Sequence, residues 1–73
     1  MMFAKRLNAL RKERGLTAQQ MADLLCTGIR NYRKYESGDA KPTIDGLIQI
    51  ADILDVSADY LLGRDDFLAR HAD

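Results

Sequence analysis

Between Leu16 and Gly38 the chain reads LTAQQMADLLCTGIRNYRKYESG, two short helix-forming runs separated only by Cys26, Thr27 and Gly28. The first run has a sharply specified start. Thr17 is placed to cap it, Gln20 completes a capping box three residues on, and Leu16 and Met21 occupy the two positions of a hydrophobic staple. Inside it, Met21, Ala22 and Leu25 face inward, and Ala22 is small enough to let another helix approach closely. The second run covers about Ile29 to Ser37. At about 100° per residue it gathers Ile29, Arg30, Arg33 and Lys34 into one arc and leaves Tyr32 and Tyr35 on the opposite side. One side is exposed and basic while the other packs, the layout of a helix presented to a DNA groove.

The remaining chain reads as three more helices and no strands, because apolar and polar residues nowhere alternate cleanly over four or more positions between turn signals. The expected class is all-α. A first helix from about Phe3 to Arg14 carries Phe3, Leu7 and Leu10 on one face and ends at Gly15. Gly38 closes the third helix. Thr43 caps a fourth, with Asp45 in its first turn and Ile44, Leu47, Ile48, Ala51 and Leu54 as its expected core face. Ser57 caps a fifth, with Val56 and Leu61 as a second staple and Gly63 at its end. Residues 1–63 are thus read as one domain, and residues 64–73 as a polar tail containing Phe67 and Leu68.

A chain of 73 residues holds one small domain and buries only about 60% of its unfolded surface. No aliphatic stretch approaches the roughly 18 residues of a membrane span, and no charged-then-apolar signal segment opens the chain. A soluble, intracellular protein is expected. The single cysteine, Cys26, cannot form an internal disulfide, and with the lone His71 it cannot assemble a metal site, so no metal or cofactor is expected. Catalysis also lacks parts, since no nucleophile has a positioned base.

The formal net charge is zero, but its placement is uneven. Residues 1–41 hold nine cations (Lys5, Arg6, Arg11, Lys12, Arg14, Arg30, Arg33, Lys34, Lys41) against four anions (Glu13, Asp23, Glu36, Asp39), a balance of plus five. Residues 42–73 hold Arg64 and Arg70 against seven aspartates, a balance of minus five. The half containing the paired helices attracts phosphate and the other half repels it.

The segments RLNALRKERGLT, MADLL, KYESG and KPTIDGLIQIADILDVSADYLLG, taken together, closely resemble the phage repressor and Cro type of helix-turn-helix protein. The resemblance runs from about Phe3 to Gly63. It implies a five-helix, lambda-repressor-like domain whose second helix braces the DNA backbone while the third lies in the major groove. It further implies a homodimer on double-stranded DNA, repressing transcription from a two-fold symmetric operator, in the cytoplasm of a bacterium at its nucleoid, with no small-molecule ligand and no membrane partner. The rival reading is a protein-interaction module, such as an anti-repressor, that keeps the fold without specific DNA binding.

Carried over residue by residue, the resemblance places the base-reading positions at Gly28, Ile29, Arg30 and Lys34, with Arg33 beside them. Arginine and lysine donate to guanine O6 and N7, so guanine is expected in each half-site. Ile29 either meets a thymine methyl or simply packs. Phosphate contacts are implied at Lys41 and at the start of the second helix, Thr17 and Ala18. Arg11 and Glu36 match an ion pair joining the first helix to the end of the third. Leu62, Phe67 and Leu68 exceed what this small core needs and are the expected dimer interface.

The chain departs from the family pattern at four places. Cys26 stands where a left-handed glycine is usual in the turn and is expected to be a small, semi-buried residue. Ala18 replaces a common glutamine, Asp39 a common cation, and Tyr32 a smaller aliphatic side chain.

Overall fold

The computed structural model describes residues 2–63. They form five helices, α1 (Met2–Glu13), α2 (Ala18–Leu24), α3 (Ile29–Ser37), α4 (Ile44–Leu54) and α5 (Ala58–Leu62), with no strand among the described residues. Each boundary has a local cause. At the end of α1, Gly15 adopts φ +72°, and the Leu16 and Gly15 amides donate to the Arg11 and Lys12 carbonyls, closing a Schellman turn at the glycine that the sequence pattern predicts. Thr17, Thr43 and Ser57 each cap a helix by accepting a backbone N–H on the side-chain oxygen, and at Thr17 the full capping box is present.

The core is built from Phe3, Leu7 and Leu10 of α1, Met21 and Ala22 of α2, Tyr32 of α3, Ile50, Ala51 and Leu54 of α4, and Leu61 of α5. Helix α1 lies at the centre, against α3 on one side and α5 on the other, while α2 packs on α3 and α4 on α5. Arg6 latches α1 to α5, its guanidinium 4.1 Å from the Tyr60 ring centroid and its Nη1 donating to the Tyr60 carbonyl at 2.6 Å. Arg14 donates from Nε to the Leu54 carbonyl at 3.0 Å, satisfying an orphan acceptor at the end of α4.

The fourth helix corrects the sequence expectation. Ile44 and Ile48 point to solvent, 79% and 50% exposed, whereas Ile50, absent from the expected core face, is fully buried. Asp45, Gln49 and Asp52 form one polar side, and the apolar arc opposite them spans more than half of the helix, with Ile44 and Ile48 at its edge and Ile50 and Leu54 nearer its middle. Packing chooses the inner face, because Ile50 and Leu54 share a stripe four residues apart that faces the core.

Candidate nucleic-acid interface

Helix α3 presents a polar, basic side to solvent because Tyr32 anchors the other side. Tyr32 is fully buried, and its ring meets that of Tyr35 edge-on, with centroids 6.2 Å apart at 79°. Arg30, Arg33 and Lys34 are all exposed, on the arc that the sequence spacing predicts. Ile29 is half-buried and packs against the core, so its packing role is met by the protein itself. Gly28 is the N-cap, and a Cβ built there meets nothing within 4 Å, which leaves the helix start open to close approach.

The angle of α3 is set by a junction with α1. Arg11 grips Glu36 in a two-pronged pair, Nε to Oε2 at 2.6 Å and Nη2 to Oε1 at 3.2 Å, while its Nη1 donates to the Leu16 carbonyl at 2.8 Å. Asn8 adds a third donor to Glu36 Oε1 at 2.6 Å. Asn8 escaped the sequence reading, although its i, i+3 spacing to Arg11 on α1 signals a shared face. Burial works against ionised Glu36, but the Arg11 hydrogen bonds, then the nearby Tyr32 hydroxyl and the Asn8 amide, outweigh it and hold the carboxyl below its usual range. The hydrogen bond to Glu36 holds the Arg11 guanidinium above its ordinary value. The Tyr32 hydroxyl lies close enough to feel both charges, yet among the described residues it is buried without a hydrogen-bond partner. Burial, reinforced by the Glu36 carboxylate, pushes that phenol well above its ordinary range.

At the start of α2, the capping box uses groups that a phosphate would otherwise meet. The Thr17 amide donates to Gln20 Oε1 at 2.8 Å and the Gln20 amide to Thr17 Oγ1 at 3.0 Å. The Ala18 side chain is half-buried against the core, so a phosphate contact at that position falls to its backbone N–H. Lys41 is exposed in the loop between α3 and α4, beside an apolar groove formed with Phe3, Pro42, Leu47 and Leu62. Leu62 is 47% exposed, whereas Phe67 and Leu68 lie outside the described residues.

Cys26 corrects a second expectation, for it is exposed rather than semi-buried. It does hold the left-handed conformation, at φ 55°, and the turn is a Schellman motif in which the Thr27 amide donates to the Ala22 carbonyl at 2.9 Å. A Cβ in this conformation costs about 1–2 kcal/mol. Cys26→Gly is therefore expected to raise stability by about 1 kcal/mol, since the added chain entropy of glycine offsets part of the relief. Denaturant unfolding checks this, and a loss of stability would show that the turn is not strained.

A family model described as helix-turn-helix matches residues 7–61. The chain belongs to the helix-turn-helix family. Among its relatives, the cryptic phage CTXphi transcriptional repressor RstR of Vibrio cholerae is 44% identical over 64 residues, covering 88% of this chain and 57% of that protein. The uncharacterized HTH-type transcriptional regulator YqaE of Bacillus subtilis is 48% identical over 61 residues, covering 84% of this chain and 53% of its own. This helix-turn-helix chain thus spans a little over half the length of these relatives. A crystal structure of a transcriptional regulator from Listeria innocua superimposes with a TM-score of 0.77 at 35% identity, covering 93% of this chain and 73% of that one.

Among the described residues, Arg30, Arg33 and Lys34 fall together on α3 and Arg11 meets Glu36, while Thr17 caps α2, Ala18 opens it and Lys41 lies on a separate loop. Beyond Asn8, the sequence reading also missed a row of polar side chains on α3. Asn31 Nδ2 donates to Thr27 Oγ1 at 2.9 Å and to Tyr35 Oη at 3.0 Å.

Proposed function

We propose that this chain is a sequence-specific DNA-binding regulator of transcription that inserts α3 into the major groove, and that it acts as a repressor. The observation that carries this reading is the exposed Arg30, Arg33 and Lys34 arc on a helix whose far side is anchored by buried Tyr32 and braced through Glu36. Arg30 and Lys34 read guanine, Arg33 supports them, Gly28 permits close approach, and Lys41 with the start of α2 grips phosphate. The names of the relatives, a phage repressor among them, support the same reading.

The operator is read by a homodimer that sets two copies of α3 in successive major grooves about 34 Å apart. Exposed Leu62 supports an interface on α5. Titration of a duplex at several salt concentrations tests the function. The affinity is expected to fall steeply with salt, at about 0.9 log units per neutralised phosphate for each tenfold rise. Sedimentation velocity in parallel is expected to give twice the chain mass. Weak binding without sequence preference, from a monomer, would instead favour a protein-interaction module.

A further inference from the structure

We infer that Thr27, Asn31 and Tyr35 form a second, sequence-independent DNA contact line beside the base-reading arc, with the two hydroxyls as phosphate donors and Asn31 as the positioning residue between them. This rests on the major-groove reading of α3. The three residues are four apart and so stack along one stripe. A single nitrogen, Asn31 Nδ2, reaches both hydroxyl oxygens, Thr27 Oγ1 at 2.9 Å and Tyr35 Oη at 3.0 Å. Both amide hydrogens are thereby used, and each hydroxyl is held as an acceptor. Each hydroxyl's own hydrogen is then free for an outside acceptor, and among the described residues no side-chain or backbone acceptor takes either one.

The chemistry selects phosphate over a base edge. Reading adenine with asparagine requires the amide donor and the amide oxygen together, and here the donor is committed within the protein. What remains is the Asn31 amide oxygen, which can only accept, and two hydroxyl donors, the kind of group that contacts phosphate oxygens and fixes register. Placement agrees, because Asn31 lies about 60° around α3 from Lys34, so with the basic arc in the groove the row faces one wall. The Tyr35 ring, edge-on to buried Tyr32, holds one end of the row in place.

Tyr35→Phe and Thr27→Val delete one hydroxyl each, and Thr27→Ser keeps it. Affinity is measured at fixed salt on the selected operator and on an unrelated duplex of equal length, with helix content and thermal unfolding confirming that each variant is folded. The expected result is a loss of about three- to tenfold for each deletion on both duplexes alike, an unchanged ratio between them, and wild-type affinity for Thr27→Ser. Unchanged affinity in folded Tyr35→Phe and Thr27→Val overturns the inference, and so does a loss confined to the operator, which would mean base reading. Arg30→Ala in the same assay separates the two readings: if it abolishes operator preference while the hydroxyl deletions do nothing, the function stands and the contact line falls. If the wild type binds neither duplex, both fall.

Discussion

Glu36→Ala is expected to cost about 3 kcal/mol of stability and to weaken DNA binding through a change in the angle of α3, without touching a base-reading side chain. The Glu36 and Arg11 side chains are only 12% and 13% exposed, so removing the carboxylate strands a guanidinium that water reaches poorly. The Asn8 amide loses its acceptor at the same time. Breaking a buried pair costs about 3–5 kcal/mol, and residual solvent access places this pair at the lower end. A domain this small is stable by only roughly 5 kcal/mol, so the variant sits near its unfolding limit at ambient temperature. Replacing both partners with apolar residues, Arg11→Met and Glu36→Leu, is expected to recover most of the loss, because no charge is then left unpaired.

The same junction gives a pH dependence with a definite sign. Glu36 titrates lower in the folded protein than in the unfolded chain, whose ordinary value is 4.5. Its contribution is therefore full above that value and is lost as pH falls through the folded value. Unfolding curves of the wild type should show this acid loss, and Glu36→Gln should flatten it. An equally steep acid loss in Glu36→Gln would assign the effect to other carboxylates.

Arg30→Ala combined with Lys34→Ala is expected to abolish operator preference while leaving the fold intact. Both side chains are exposed on α3, and surface truncations of this kind shift stability by only about 0.5 kcal/mol. A well-made contact to guanine discriminates by about 1–3 kcal/mol, so losing both reduces operator affinity by roughly a hundredfold or more, toward the level of non-specific binding. The salt dependence should persist in reduced form, because the phosphate contacts proposed for Lys41 and the α2 start are left intact in this variant. An unchanged operator affinity in this double variant would remove α3 from the role assigned to it.

The parts of this fold legible in the sequence are those where one local rule acts without competition. Thr17, Gln20, Leu16 and Met21 define the start of α2 through capping chemistry alone, and the structure shows the capping box complete. The arc of Arg30, Arg33 and Lys34 follows from helical spacing once Tyr32 is assigned to the core. The inner face of α4 is different. Its apolar arc runs from Ile53 through Ile50 and Leu54 to Ile44 and Ile48, more than half of the helix, and packing beside α5 buries the middle of that arc and leaves Ile44 and Ile48 at the exposed edge. Cys26 illustrates a second limit: its left-handed backbone follows from its place in the turn, but whether the thiol is covered depends on neighbours distant in sequence. The Asn8 bond to Glu36 depends on a partner 28 residues away, whereas the spacing of four that joins Asn31 to Thr27 and Tyr35 is local and was open to the same helical rule as the basic arc.

The most direct measurement is selection of bound sequences from a random duplex pool by the wild type and by Arg30→Ala with Lys34→Ala. A two-fold symmetric, guanine-containing motif is expected for the wild type and no enrichment for the double variant. No enriched motif for the wild type, or the same motif for both proteins, would contradict base reading through α3.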